Sequence, residues 1–194
     1  MPRQADYPVD PLFLERWSPR AFDASEIPEA DLLTLFEAAR WAPSAFNSQP
    51  WRFLYARRGE ADWNRFLGLL IPFNQSWAHS ASALVYILSD TLPATDKAGE
   101  PATSHTHSYD AGAAWACFAL QATRLGYQAH GMSGVDFERV REELGVPERY
   151  RIEAAAAVGR IGDPGTLPEK LRARETPSGR KAVEEFAFRG GWPG

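Results

Sequence analysis

The segment "YDAGAAWACFALQATRLG", Tyr109 to Gly126, restricts the fold more than any other part of the chain. It reads as one helix, with Asp110 near the positive end and Gly126 as a stop. Small or apolar side chains surround it almost completely, and a helix without a polar face has no reason to lie on a surface. The pattern predicts a helix buried on most sides, and in a chain of 194 residues that suggests a central helix at a subunit interface. Its apolar run, Ala111 to Leu120, is too short to span a bilayer and is followed by Gln121 and Arg124.

Other elements follow from periodicity. Pro28 to Trp41 predicts a helix whose apolar face is Leu32, Leu35, Phe36 and Ala39. Pro28 suits its first turn, and Glu29 and Asp31 suit its positive end. Pro43 ends it, because a residue before proline avoids the helical region. "WRFLYA" from Trp51, "ALVYIL" from Ala83, "YQAHGM" from Tyr127 and "EAAAAVGRIG" from Glu153 read as strands, the second of them buried. Asp62 to Leu70 and "DFERVREELG" from Asp136 read as further helices. The polar stretch 89–108, rich in Ser, Thr and Pro, is expected to be a long loop or lid. The Arg-rich, Pro/Gly-punctuated residues 164–194 are expected to form an arm. No internal repeat interrupts residues 1–194, which are expected to form a single domain.

Bulk composition removes several functions. A net charge of −4 gives no general attraction to nucleic acid or anionic lipid. One cysteine excludes an intrachain disulfide and suits a reducing compartment. "MPRQADYPVD" lacks the apolar centre of a secretory signal, so a cytoplasmic protein is expected. Seven Trp, eleven Phe and six Tyr leave ample aromatic surface for a core, an interface or a planar ligand.

Four short constellations could carry chemistry. In "RWSPR", Arg16, Ser18 and Arg20 offer two planar guanidinium forks and a hydroxyl, suited to a phosphate or to nothing more than a solvated basic turn. In "PSAFNSQPW", Asn47 carries donor and acceptor together, as needed at the edge of a –CO–NH–CO– ring, while Pro43, Ser44 and Ala45 would let a flat ligand approach. An ordinary helix-to-strand turn explains the same residues. In "HGMSGVD", glycines flank Ser133 in a turn whose N–H groups could face a ligand. In "PSGRKAVEEF", Arg180 follows Gly179, where the backbone can come close. His105 and His107 form an H-x-H pair without a third ligand at telling spacing, so no metal is expected. Cys117 reads as a small buried hydrophobe. Dinucleotide, P-loop and nucleophile-elbow motifs are missing from the sequence.

Together with "PFNQSW" before the "ALVYIL" strand, these blocks resemble the FMN-dependent nitroreductase family, in the same order over nearly the whole chain. The P-S-x-x-N-x-Q-P-W block is the most specific. The resemblance implies an α+β fold, a mostly antiparallel central sheet flanked by helices in an intertwined homodimer. It implies an enzyme that oxidises NADH or NADPH with FMN and passes a hydride to a small planar electron-poor acceptor such as a nitroaromatic, quinone or enal. Arg16 and Arg180 match phosphate-binding positions. Ser18, Arg20 and Asn74 match the polar edge of the ring, and Ser133 and Gly134 match a turn facing it. Pro43, Ser44, Ala45 and Asn47 match the partner subunit's contribution, with Phe46 as a wall of the acceptor pocket. No catalytic side chain is implied, since the flavin carries the redox chemistry. Ser178 stands where many members have a lysine, Trp77 where some do, and Trp17 replaces a common His or Arg. A flavin storage or sensing protein is the alternative.

Overall fold

The structure, a computed structural model, describes residues 3–95 and 100–193. In chain order its regular elements are α1 (Pro11–Glu15), α2 (Glu29–Arg40), β1 (Trp51–Arg57), α3 (Trp63–Gly68), α4 (Pro72–Ala78), β2 (Ala83–Asp90), β3 (Ala94–Thr95), β4 (Pro101–Ala102), α5 (His107–Arg124), β5 (Gln128–Met132), α6 (Phe137–Glu143), β6 (Tyr150–Gly159) and α7 (Glu169–Arg172). Four strands form one sheet in the order β1-β2-β6-β5, and every neighbouring pair is antiparallel. The α+β reading and the antiparallel sheet therefore hold.

Each face of the sheet has its own core. β2 is buried at every position, and its side chains alternate between the two sides. Leu84, Tyr86 and Leu88 join Trp63, Phe66, Trp77 and Val140 from α3, α4 and α6. Ala83, Val85 and Ile87 join Leu32, Leu35 and Phe118 from α2 and α5. The alanines of β6 do the same with small side chains: Ala155 and Ala157 face one core, Ala156 the other. A central strand packed on both faces needs an unbroken apolar run, which is what "ALVYIL" supplies.

As expected, α5 is buried or half-buried around most of its circumference and is open along one stripe. Ala111, Ala114, Phe118, Ala119 and Ala122 are buried, while Tyr109 is 81% exposed and Gly112 and Ala116 are open. One chain provides a single layer for this helix to pack against. Gly126 ends the helix as expected, at a φ of +78°.

The interval 89–108, expected as a long loop or lid, is more ordered than a plain loop. β2 continues through Ser89 and Asp90, whose polar groups are paired inside the protein. The Ser89 hydroxyl donates to Glu153 Oε1 at 2.5 Å, and Arg149 donates to both oxygens of Asp90 at 2.6 Å. β3 then pairs with β4, and α5 begins at His107. Residues 96–99 of the expected loop lie outside the described residues. The "PFNQSW" block lies in a helix, α4, opened by Pro72. The arm is anchored by Leu167, Leu171 and Glu175 and is exposed from Thr176 to Pro193.

Candidate functional site

A hollow of about 350 Å³ opens between the segment after α1 and the arm. Arg16, Trp17, Ser18, Arg20 and His130 line one side, and Arg3, Arg174, Thr176, Ser178 and Arg180 line the other. The sequence-predicted Arg16, Ser18, Arg20 and Arg180 therefore meet, although the arm lies far from the first three along the chain. Arg16 directs Nη1 toward Ser18 Oγ at 3.4 Å. Arg180 Nη1 donates to Ser178 Oγ at 3.1 Å and to the Gly179 carbonyl at 2.8 Å. Burial first, and then the charges of Arg180 and Arg3, lower the pKa of the Arg16 guanidinium from its ordinary value. No carboxylate is among the described residues that line the hollow, and of its arginines Glu175 behind it pairs only with Arg20. The like charges of Arg3, Arg16 and Arg180 repel one another, and an oxyanion would relieve that repulsion.

Arg20 is placed by Glu175, the last buried anchor of the arm. Glu175 Oε1 accepts from the backbone N–H groups of Arg20 at 2.6 Å and Ala21 at 2.8 Å. Its Oε2 lies 3.9 Å from Arg20 Nη1. Arg20 Nε is buried with no hydrogen-bond partner, a donor left over within the lining. His130, on β5, interacts with the Pro19 carbonyl through Nδ1 at 2.8 Å and packs against the Trp77 ring at 4.6 Å between centroids. Burial, followed by the charges of Arg20 and Arg16, pushes the His130 pKa down to about 4. The imidazole is therefore neutral near pH 7, and its Nδ1–H donates to Pro19.

A second group sits where β5 ends. Asn74 of α4 is buried and its amide donates to the Gly134 carbonyl at 3.0 Å. The Gly134 carbonyl also accepts from Ile71 N–H at 3.2 Å, and Val135 N–H donates to the Ser133 carbonyl at 3.0 Å. A Cβ on Gly134 would lie 2.5 Å from Asn74 Nδ2 and 2.7 Å from Ile71 Cδ1, so only glycine fits this approach.

The turn after α2 lies elsewhere. Ser44 to Gln49 is built from short local bonds: Asn47 N–H donates to the Ser44 carbonyl at 3.0 Å, and Gln49 N–H to Ser44 Oγ at 3.0 Å. Phe46, Asn47 and Gln49 adopt left-handed φ values of +53°, +56° and +48°. The Phe46 side chain is fully exposed. Asp110, buried in the first turns of α5, accepts from Ala45 N–H at 3.2 Å and so fixes the turn to the helix. Neither Pro43, Ser44, Ala45 nor Asn47 lines the arginine hollow.

The structure thus gathers the predicted residues into three places: Arg16, Ser18, Arg20 and Arg180; Asn74, Ser133 and Gly134; and Pro43 to Asn47. Sequence reading missed Arg3, Arg174 and Glu175, and it marked Asp110 only as a helix-end charge, not as the tie to Ala45. No local pattern marks these roles, since Arg3 and Glu175 bond to distant segments and Arg174 reaches the hollow only through the fold. His107 heads α5 with Nδ1 2.7 Å from Ser89 Oγ, and Cys117 is half-buried on the same helix.

The sequence matches the model of the nitroreductase family over residues 14–71 and 69–160. The fold superposes with a TM-score of 0.95 on a crystal structure described as an oxidoreductase containing FMN, 49% identical, over 99% of this chain and 96% of that one. The NADH dehydrogenase of Thermus thermophilus is 30% identical over 81% of this chain and 89% of its own length. The CLA biosynthesis enone reductase of Lactiplantibacillus plantarum is 28% identical over 77% and 83%. The matched span includes both the "RWSPR" segment and the turn after β5, and on that ground the chain belongs to the nitroreductase family.

Proposed function

We propose that the protein is an FMN-dependent oxidoreductase that oxidises NADH or NADPH and delivers a hydride to a small planar electron-poor acceptor: a nitroaromatic, a quinone or an enal. The observation that carries this reading is the convergence of Arg16 and Arg180 on one hollow with no carboxylate among its described lining residues. The names of the relatives support it, one a structure containing FMN and two others an NADH dehydrogenase and an enone reductase.

The residues fit such a cofactor. Arg16 and Arg180 would hold the phosphate, where guanidinium forks match phosphate oxygens. Ser18, Arg20 and Asn74 would meet the polar edge of the ring, and the buried, unpartnered Nε of Arg20 is a donor suited to it. Gly134 lets the turn after β5 pack directly against Asn74 and Ile71, which would hold the backbone of Ser133 and Gly134 beside Asn74 to face the ring. When bound, FMN supplies the two-electron hydride chemistry. Arg20 would hold a positive charge beside the polar edge of the ring and so favour its reduced form, and neutral His130 leaves that field to the arginines. No side chain is required as acid or base.

Pro43, Ser44, Ala45 and Asn47 would complete the site of a second copy, with Phe46 walling its acceptor pocket. Two features favour this homodimer. The turn is presented outward from its own hollow, and α5 offers an open face of Tyr109, Gly112 and Ala116. Residues 1–194 would act as one domain whose arm, 164–194, reaches beyond the core. A reducing cytoplasm suits a chain with one cysteine; no helix among the described residues is long and apolar enough to cross a membrane. Anaerobic mixing with NADH and with NADPH tests the function. Rapid loss of the oxidised-flavin absorbance, restored by a quinone or nitroaromatic, is expected. A flavin that neither nucleotide reduces would replace this reading with storage or sensing.

A further inference from the structure

The convergence of Arg16 and Arg180 needs a cause. They belong to segments at opposite ends of the chain, and like charges do not assemble unaided. Arg3 joins those segments. Its Nη1 donates to the Arg16 carbonyl at 2.6 Å and to the Leu14 carbonyl at 3.2 Å, and its Nε donates to the Ser178 carbonyl at 2.9 Å. One rigid, planar group thus ties the end of α1 to the arm immediately before Arg180. Tyr7 adds a second link between the same segments, its hydroxyl donating to Glu184 at 3.2 Å. Arg3 also lines the hollow, and its Nη2 bonds to no described residue.

We infer that Arg3 is a positioning residue for the cofactor phosphate: it sets Arg16 and Arg180 around one hollow and adds a further cation to it. The inference rests on the FMN reading above and names a residue outside the motifs that suggested it. Burial and the Arg180 charge lower the Arg3 pKa from its ordinary value, as expected of a cation held among cations. Ser178 contributes its carbonyl to the strut and its hydroxyl to Arg180, so a position without a charged side chain still serves the site.

Riboflavin, which lacks the phosphate, separates this role from general support of the fold. The full-length chain is titrated with FMN and with riboflavin, read by quenching of flavin fluorescence. Wild type is expected to prefer FMN strongly. Arg3→Ala is expected to weaken FMN roughly tenfold or more, as for the loss of charged hydrogen bonds, and to change riboflavin by less than about twofold. Arg3→Lys keeps the charge but not the fork, so its FMN loss is expected to be intermediate; the milder change also tests the point if Arg3→Ala unfolds. FMN affinity unchanged in both variants would overturn the inference, as would equal losses for both flavins. A wild type that holds FMN no better than riboflavin would overturn the phosphate site itself, and the inference with it.

Discussion

In the arginine hollow the polar groups point inward and are held by other parts of the same chain. Arg3 spans from Arg16 to Ser178, and Glu175 reaches from the arm to the backbone of Arg20 and Ala21. In the turn after α2 the groups are held almost wholly by their immediate neighbours, and Phe46 is fully exposed. Its one long-range hydrogen bond among the described residues is the Ala45 N–H to Asp110. Both regions carry a cost in the free protein. The hollow concentrates like charge, and the turn keeps three residues other than glycine at positive φ, each worth about 1 kcal/mol or more of strain. The difference lies in what could repay each cost. An anion entering the hollow needs one chain, whereas a rigid turn aimed outward serves only a molecule that docks against it.

The strongest attempt to break this comparison removes the hollow's charge. Each of Arg16→Ala and Arg180→Ala should cost about 1.5–3 kcal/mol of phosphate binding, and the pair together roughly a hundredfold to ten-thousandfold in FMN affinity. Titration showing the double variant as tight as wild type would remove the hollow from the site.

Acid should loosen the wall of the hollow before it touches the turn. His130 has a folded pKa of about 4 against an ordinary 6.5, so the unfolded chain takes up the proton first. Stability contributed by neutral His130 is present above pH 6.5 and is lost as pH falls toward 4, by up to about 3 kcal/mol. Urea unfolding across that range should show the decline, and His130→Gln should flatten it.

Gly134→Ala forces a methyl against Asn74 and Ile71 and should lower stability by roughly 1–3 kcal/mol. Thermal unfolding of the flavin-free chain measures this; an unchanged midpoint would mean that the turn beside Asn74 yields easily. The turn after α2 should respond in the opposite sense. Asn47→Leu is expected to weaken FMN binding several-fold while altering the stability of the chain by only about 1 kcal/mol, since the side chain is solvated and the left-handed backbone is the main penalty. A large loss of stability would show that the turn is structural, and the contrast with the hollow would fail.

Legibility differed with the range of the contact. The helix from Glu29 to Arg40 and the strand from Ala83 were readable because their side chains repeat with the period of the element. Strand β2 ran past its expected end because Ser89 and Asp90, polar in sequence, are paired with Glu153 and Arg149 across the fold. The motif blocks pointed to Arg16, Ser18, Arg20 and Arg180, and all four line one hollow. Arg3 was invisible for the opposite reason: an arginine near an end of the chain looks like a solvated charge until its three carbonyl acceptors are known.

The sequence by itself determined the longer helices, the four strands of the main sheet with the buried central one, and the residue types available for an anion, because these depend on local periodicity and side-chain chemistry. The tertiary structure alone decided that the segments flanking α1 and the arm would meet at one hollow and that α5 would keep one stripe open. It also decided that Phe46 would stand clear of its own chain. Those outcomes depend on hydrogen bonds and packing between residues far apart in sequence, whose energies no local pattern records.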